Sequence, residues 1–271
     1  MVAASDDGAL VAFGAGAHGS ADRTIADLRA DVARVAARLG DAPLGQVIVI
    51  AQDRYLFAVG LLAAWSRGHT VVLPPNAQSA TIDALAAEVG ALTILHDSDA
   101  STGIDLRTCQ LGPEGRLDWP VLMDDDRHAV TLFTSGSTRS FRGVHKSTRQ
   151  LYRELATLQS TFALTAQHRV VATVPANHLY GLLFSVLWPL MAGAPFLREV
   201  PHHVEAIVDP LRQRPAEAVL VTVPAHLQGF ARLSPNQLQG LRVFSSTAPL
   251  ETELALALIG QQSLDLIEVF G

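Results

Sequence analysis

Cysteine is nearly missing from this 271-residue chain, in which Cys109 stands alone. A single thiol excludes an internal disulfide and a cysteine-built metal cluster, and the reading that fits is a protein of the reducing cytoplasm. An excess of positive charge is missing too. Twenty Lys and Arg face 26 Asp and Glu, for a net charge of -6, whereas a general nucleic-acid binder carries a basic face that displaces counterions. The amino terminus, MVAASDDGALVAFGAG, has no basic region and carries Asp6 and Asp7, which argues against a secretory signal. The longest apolar run, Leu179 to Leu197, has the length of a membrane span. Pro189 and Pro195 would break such a helix twice, and His178, Arg198 and Glu199 flank it without charge asymmetry, so a buried helix followed by a loop is predicted and no membrane span. Neither an internal repeat nor a low-complexity tract occurs.

What is abundant is apolar surface: 49% of the residues are hydrophobic, enough for a substantial core in one or two domains. Short β-branched runs predict strands at 46–51, 70–73, 92–95, 129–133, 169–174, 218–223, 241–246 and 266–270. Several are apolar almost throughout, as strands covered on both faces are. Between them, Ile25, Leu28, Val32, Val35, Ala36 and Leu39 recur at helical spacing up to Gly40. Further helices are predicted at 53–67, 78–89, 147–161, 202–213 and 250–261. This β-then-α order predicts an α/β fold of largely parallel sheets flanked by helices, with ligands gathering at the carboxyl ends of the strands.

Two motifs carry little. GAGAHG, Gly14 to Gly19, matches a dinucleotide-binding turn, but the strand before it is short and the next strand ends at Asp53, well beyond the usual distance of the ribose-binding acid, so a dehydrogenase is the third-ranked reading. The three carboxylates Asp124, Asp125 and Asp126 fall in an extended segment, where successive side chains point to opposite sides, and read as a solvated approach to the next strand.

The informative stretch is TLFTSGSTRSFRGVHKS, 131–147. A strand runs into a loop of hydroxyls and glycine, and Arg139, Arg142, His145, Lys146 and Arg149 follow. Backbone N–H groups of such a loop form a concave anion site, and Ser and Thr hydroxyls add donors for phosphate oxygens. The spacing is neither that of a Walker A loop nor that of a nucleophile elbow.

TSGSTRSFRGV resembles the phosphate-loop signature T-S-G-S-T-G-x-P-K-G-V of the adenylate-forming enzymes: acyl-CoA synthetases, aryl-acid ligases and adenylation domains of peptide synthetases. Three further stretches resemble that family in order and spacing. They are VPANHLYGLLFSVLWPLMAG for the P-x-x-H-x-x-G segment, SSTAPLETEL for S-G-G-A-P-L, and EVFG for the start of Y-G-x-T-E. VAFGAGAHGSADRTIADLRADVARVAARLG also looks like the family's opening strand, turn and helix, which displaces most of the dinucleotide reading.

The resemblance implies a two-step reaction. A carboxylic acid attacks the α-phosphate of ATP, which carries Mg2+, to give an acyl-adenylate and pyrophosphate; a thiol of CoA or of acyl carrier protein phosphopantetheine then takes the acyl group. It implies that Thr134, Ser135, Gly136, Ser137 and Thr138 hold the phosphates, with Arg142 at the family lysine position. Lys146 is expected to substitute for that lysine from one turn later. His178 would be catalytic at the mouth of an acyl pocket walled by Gly181, Val223 and Pro224. Thr247, Ala248 and Pro249 would flank adenine, with Phe270 stacked on it and Gly271 beside it.

This sequence departs from the pattern at Arg139, in place of a glycine, and at Phe141, in place of the proline. The Mg2+-holding Glu, the ribose-binding Asp and the C-terminal lid domain with its lysine would fall past Gly271. Residues 1–271 are therefore expected to be an incomplete N-terminal AMP-binding domain, inactive alone. The acyl segment most resembles ligases that load aryl or acyl acids onto carrier proteins in aryl-polyene pigment pathways, with a CoA ligase for a medium-chain or aromatic acid close beside it. The alternative is a non-catalytic nucleotide-binding or assembly protein derived from this fold.

Overall fold

The computed structural model describes residues 6–14, 22–100, 102–111, 117, 119, 121, 124–134, 141–212 and 217–270. Strands β1 (Leu10–Phe13) and β2 (Arg23–Thr24) lead into helix α1 (Ile25–Leu39). Thr24 caps that helix in a reciprocal pair with Asp27: each side chain accepts from the other's backbone N–H. Then follow β3 (Gln46–Ile50), α2 (Arg54–Ser66), β4 (Thr70–Leu73), α3 (Ser79–Val89), β5 (Thr93–His96), β6 (Ile104–Asp105), β7 (His128–Thr134), β8 (Arg142–Ser147) and α4 (Thr148–Phe162). The second half carries β9 (Arg169–Ala172), α5 (Leu179–Gly181), a π turn at Leu182–Leu187, α6 (Trp188–Ala192) and β10 (Phe196–Leu197). It closes with α7 (Val204–Arg212), β11 (Ala218–Thr222), α8 (Pro224–Leu227), β12 (Arg242–Ser245), α9 (Thr252–Gln262) and β13 (Asp265–Glu268).

Among the described residues these strands form two sheets, ordered β13-β12-β11-β9-β10-β1-β2 and β6-β5-β3-β4-β7-β8. All pairs are parallel except β1 with β2 and β7 with β8. The largest core cluster lies between the sheets and includes α1, α2, α4 and the 179–192 segment. Helix α2 is buried from Arg54 to Trp65 without a polar face, as a helix enclosed on all sides must be. Smaller cores cover the outer faces, one under α7 and α9 and one under α3.

Three expectations change. GAGAHG does not lead from strand straight to helix: β2 intervenes and pairs back onto β1, and residues 15–21 lie outside the described ones. Pro189 does not break its helix, because the π turn directly before it widens the backbone where the ring would meet an earlier carbonyl; the helix ends at Gly193 in the left-handed region. Residues 142–147, where Lys146 was expected one turn beyond Arg142, form edge strand β8. No helix among the described residues is long and apolar enough to cross a membrane.

Candidate functional site

The carboxyl ends of β3, β4, β9 and β10 meet at a seam between the two sheets, and a buried arginine closes it. Arg54 follows β3 directly and is 1% exposed. Its Nη1 donates to the carbonyls of Leu197 (2.5 Å) and Glu199 (3.0 Å), its Nη2 to those of Ala172 and Val174 (both 3.1 Å), and its Nε to Ser185 Oγ (3.0 Å). Five donors thus tie α2 to the ends of β9 and β10 in the opposite sheet and to the π turn. Burial lowers the Arg54 pKa to about 10, against the opposing pull of Asp53 and Glu199. Beside it, Arg198 Nη2 donates to Asp53 Oδ2 at 2.6 Å, while Asp53 Oδ1 accepts from the N–H groups of Tyr55 and Leu56 and so caps α2.

A cavity of about 510 Å³ opens over this seam, lined by 50–53, 75–77 and Pro175, Asn177, His178, Glu199, Val200 and His202. Asn177 anchors its rim by donating Nδ2 to the Pro74 carbonyl at 2.7 Å. His178 is exposed at the cavity wall as the N-cap of α5, and desolvation lowers its pKa. A neutral imidazole there can donate and accept hydrogen bonds at pH 7 but brings no positive charge. A groove of about 570 Å³ at the opposite ends of the strands is walled by Ala9, Leu10, Gln167, Arg169, Pro195 and Glu217. It gathers no comparable set of convergent polar groups, so the His178 cavity is the better site candidate.

Of the four residues expected around the acyl pocket, only His178 lines this cavity. Gly181 sits behind it, where an added Cβ would overlap the Pro175 carbonyl; the glycine lets the helix start against that strand end. Val223 caps α8 and Pro224 begins it, at the end of β11. Tyr180 spans the gap, its hydroxyl donating to the carbonyls of Phe244 (2.9 Å) and Thr222 (3.3 Å), and burial raises its pKa. Beneath lies a polar cluster: Thr173 Oγ1 is 2.8 Å from Thr222 Oγ1 and 2.8 Å from His226 Nδ1, whose pKa burial and then His202 lower.

The adenine candidates come together at the end of the same sheet. Thr247, Ala248 and Pro249 form an exposed turn after β12, and Phe270 follows β13 with 81% exposure. Two hydrogen bonds hold these segments side by side: Val269 N–H to the Ser245 carbonyl (2.8 Å) and Ser246 Oγ to the Val269 carbonyl (2.7 Å). Thr247 has φ of 76°, the left-handed region that disfavours a β-branched residue. Gly271 lies outside the described residues.

The phosphate loop is described only at its two ends. Thr134 closes β7 opposite Arg142 of β8, while Ser135, Gly136, Ser137, Thr138 and Arg139 lie outside the described residues. Phe141 packs edge-on against Phe133, with ring centroids 6.1 Å apart. Lys146 is not one turn beyond Arg142. The segment is strand, so four residues separate the two side chains by roughly 13 Å, and Lys146 Nζ instead binds Glu154 Oε1 on α4 at 2.5 Å. Arg142, opposite Thr134, is exposed at the start of β8.

Sequence reasoning missed Asp53, Arg54 and Arg198. The signal was present: Arg54 is the only charge in α2, and an arginine inside so apolar a helix needs buried acceptors. Among the described residues no group of three or more His, Cys, Asp or Glu side chains could hold a metal ion. Asp125 and Asp126 pair with Arg149 instead.

Two helix-flanked, largely parallel sheets with a seam cavity at their strand ends define the N-terminal domain of the adenylate-forming enzymes. Two solved structures show the same fold over 98% of this chain. The ATP-bound MatB of Rhodopseudomonas palustris has a TM-score of 0.77 at 22% identity, and a malonyl-CoA ligase complex with methylmalonyl-CoA and AMP has 0.81 at 22%. The chain belongs to the AMP-binding enzyme family, whose model matches residues 3–271. A 4-coumarate–CoA ligase of Halorhodospira halophila is 34% identical over 155 residues, 56% of this chain. The match spans 37% of that ligase and 57% and 58% of the two solved chains.

Proposed function

We propose that this chain is the AMP-binding part of an acid–thiol ligase, one that activates a carboxylic acid with ATP as acyl-adenylate and passes it to a thiol of CoA or of carrier-protein phosphopantetheine. The observation that carries this reading is the exposed Phe270 just past β13, next to Val269, which is hydrogen-bonded to Ser245 and Ser246 directly before the exposed 247–249 turn. A ring 81% exposed at a strand end provides a face for a planar base. The names of the relatives, coumarate and malonate CoA ligases, support an acid substrate and CoA as the first acceptor to test.

In this reading Thr134 to Thr138 hold the phosphates through backbone N–H and hydroxyl donors, and Arg142 meets developing negative charge. Mg2+ enters with ATP, and no described residue is assigned to it. His178, uncharged, separates the acyl side, under Tyr180, Val223 and Pro224, from the seam cavity by which the thiol approaches. The 271 residues act as an N-terminal domain that works with a C-terminal lid domain.

Carboxylate-dependent ATP–pyrophosphate exchange tests the reaction, with 4-coumarate and malonate as first acids and the product of the whole coding sequence as enzyme. Exchange that requires the acid supports it; no exchange with any of a broad panel of acids overturns it. Exchange by residues 1–271 alone would overturn the lid-domain part. Phe141 favours a second reading, a nucleotide-binding module without catalysis, because its ring anchors the loop to Phe133 where the family pattern has proline. That reading requires ATP binding without exchange.

A further inference from the structure

Away from that site, two histidines and a threonine converge on the β7–β8 hairpin. His128 Nε2 lies 3.1 Å from His145 Nδ1, and Thr131 Oγ1 lies 2.9 Å from the first and 3.1 Å from the second. The register explains the meeting: Thr131 faces His145 directly across the ladder, and the irregularity between His128 and Val130 turns His128 toward the same face. Thr131 is buried, His128 half-buried and His145 exposed, so the triangle opens to solvent along edge strand β8.

Hydrogen bonding alone does not complete this arrangement. With both imidazoles neutral, the edge between the two ring nitrogens admits one ring hydrogen, so that hydrogen and the hydroxyl hydrogen serve three short edges and one edge has no hydrogen of its own. A cation accepts all three lone pairs at once. The edges also have the right length: ligands about 2.0–2.1 Å from a tetrahedral zinc ion stand about 3.3 Å apart.

We propose that His128, His145 and Thr131 form a binding site for a late first-row divalent transition ion such as Zn2+, with water in the remaining position. Two imidazoles select this class over Mg2+ or Ca2+, which favour oxygen ligands. The ion would clip β7 to β8 at the base of the hairpin that carries residues 135–141.

Calorimetric titration of the full chain with ZnCl2 tests this, on the wild type, His145→Gln, Thr131→Val and a His128→Gln/His145→Gln double variant. One Zn2+ per chain is expected, with affinity at least tenfold weaker in His145→Gln, a smaller loss in Thr131→Val, and no competition from millimolar MgCl2. Because His145 is exposed, His145→Gln keeps the metal-free melting temperature, which separates ligand loss from misfolding. The chain has ten histidines, so adventitious binding persists in the double variant. Equal stoichiometry and affinity in wild type and double variant, or no saturable binding by wild type, overturns the site.

Discussion

Arg54 and Phe270 both stand at the ends of parallel strands, in opposite surroundings. Around Arg54 every donor has an acceptor, the side chain is 1% exposed, and two sheets and a π turn depend on it. Around Phe270 the ring is 81% exposed, and its nearest turn holds Thr247 in the left-handed region. The contrast separates two tasks. The seam sets where strand ends sit, and its energy is spent within the protein. The rim leaves interactions unmade, as a surface reserved for a ligand does, and it carries strain of the kind that collects at functional turns.

Breaking the seam has the largest expected effect. Arg54→Met strips partners from four backbone carbonyls and Ser185 and should cost about 3–5 kcal/mol, measured as a drop in the urea midpoint. A loss below about 1 kcal/mol would show that the network is redundant. Breaking the rim should leave stability alone and hit the ligand: Phe270→Ala is expected to weaken ATP binding about tenfold, for a stacking contribution near 1.4 kcal/mol, with an unchanged melting temperature. Equal affinity would remove Phe270 from the nucleotide site.

Thr247→Gly sharpens the contrast from the other side. It relieves the left-handed strain and should stabilise the chain by up to about 1 kcal/mol, read by thermal melting; destabilisation would mean that the threonine side chain makes a contact worth more than the strain. The mildest expected effect is on pH. Burial, as the first cause, lowers the pKa of His69, His128, His178 and His226 below 6.5, so the unfolded chain binds more protons than the folded one. Stability should be fully present above pH 6.5 and decline as pH falls through 6.5 toward 5. A urea midpoint that rises on acidification across that window would contradict the four assignments together.

The sequence revealed what hydrophobic period controls. Strand 70–73 stands where its β-branched run predicts, and 46–51 and 218–223 are each one residue long at the end. It concealed what tertiary pairing controls. Arg-Gly-Val-His-Lys-Ser shows no apolar alternation because β8 is an edge strand with little burial, so Lys146 was placed by helical reasoning and the structure puts it beside Glu154. Pro189 misled for a related reason, since the π turn that accommodates it leaves no mark in composition. In the site, the closeness of the 245–249 and 269–270 segments was legible because motif order carries them across the chain. Of the Arg54 network only the donor was, as the single charge in α2; its acceptors are backbone carbonyls at 172, 174, 197 and 199, and no residue type advertises a carbonyl.

Hydrogen–deuterium exchange of the 271-residue chain, with and without saturating ATP, tests the central claim most directly. The account expects new protection in peptides covering 131–142 and 245–271, and none at 50–53 or 75–77, which line the seam cavity. Protection confined to the seam cavity, or no protection anywhere at millimolar ATP, would contradict it.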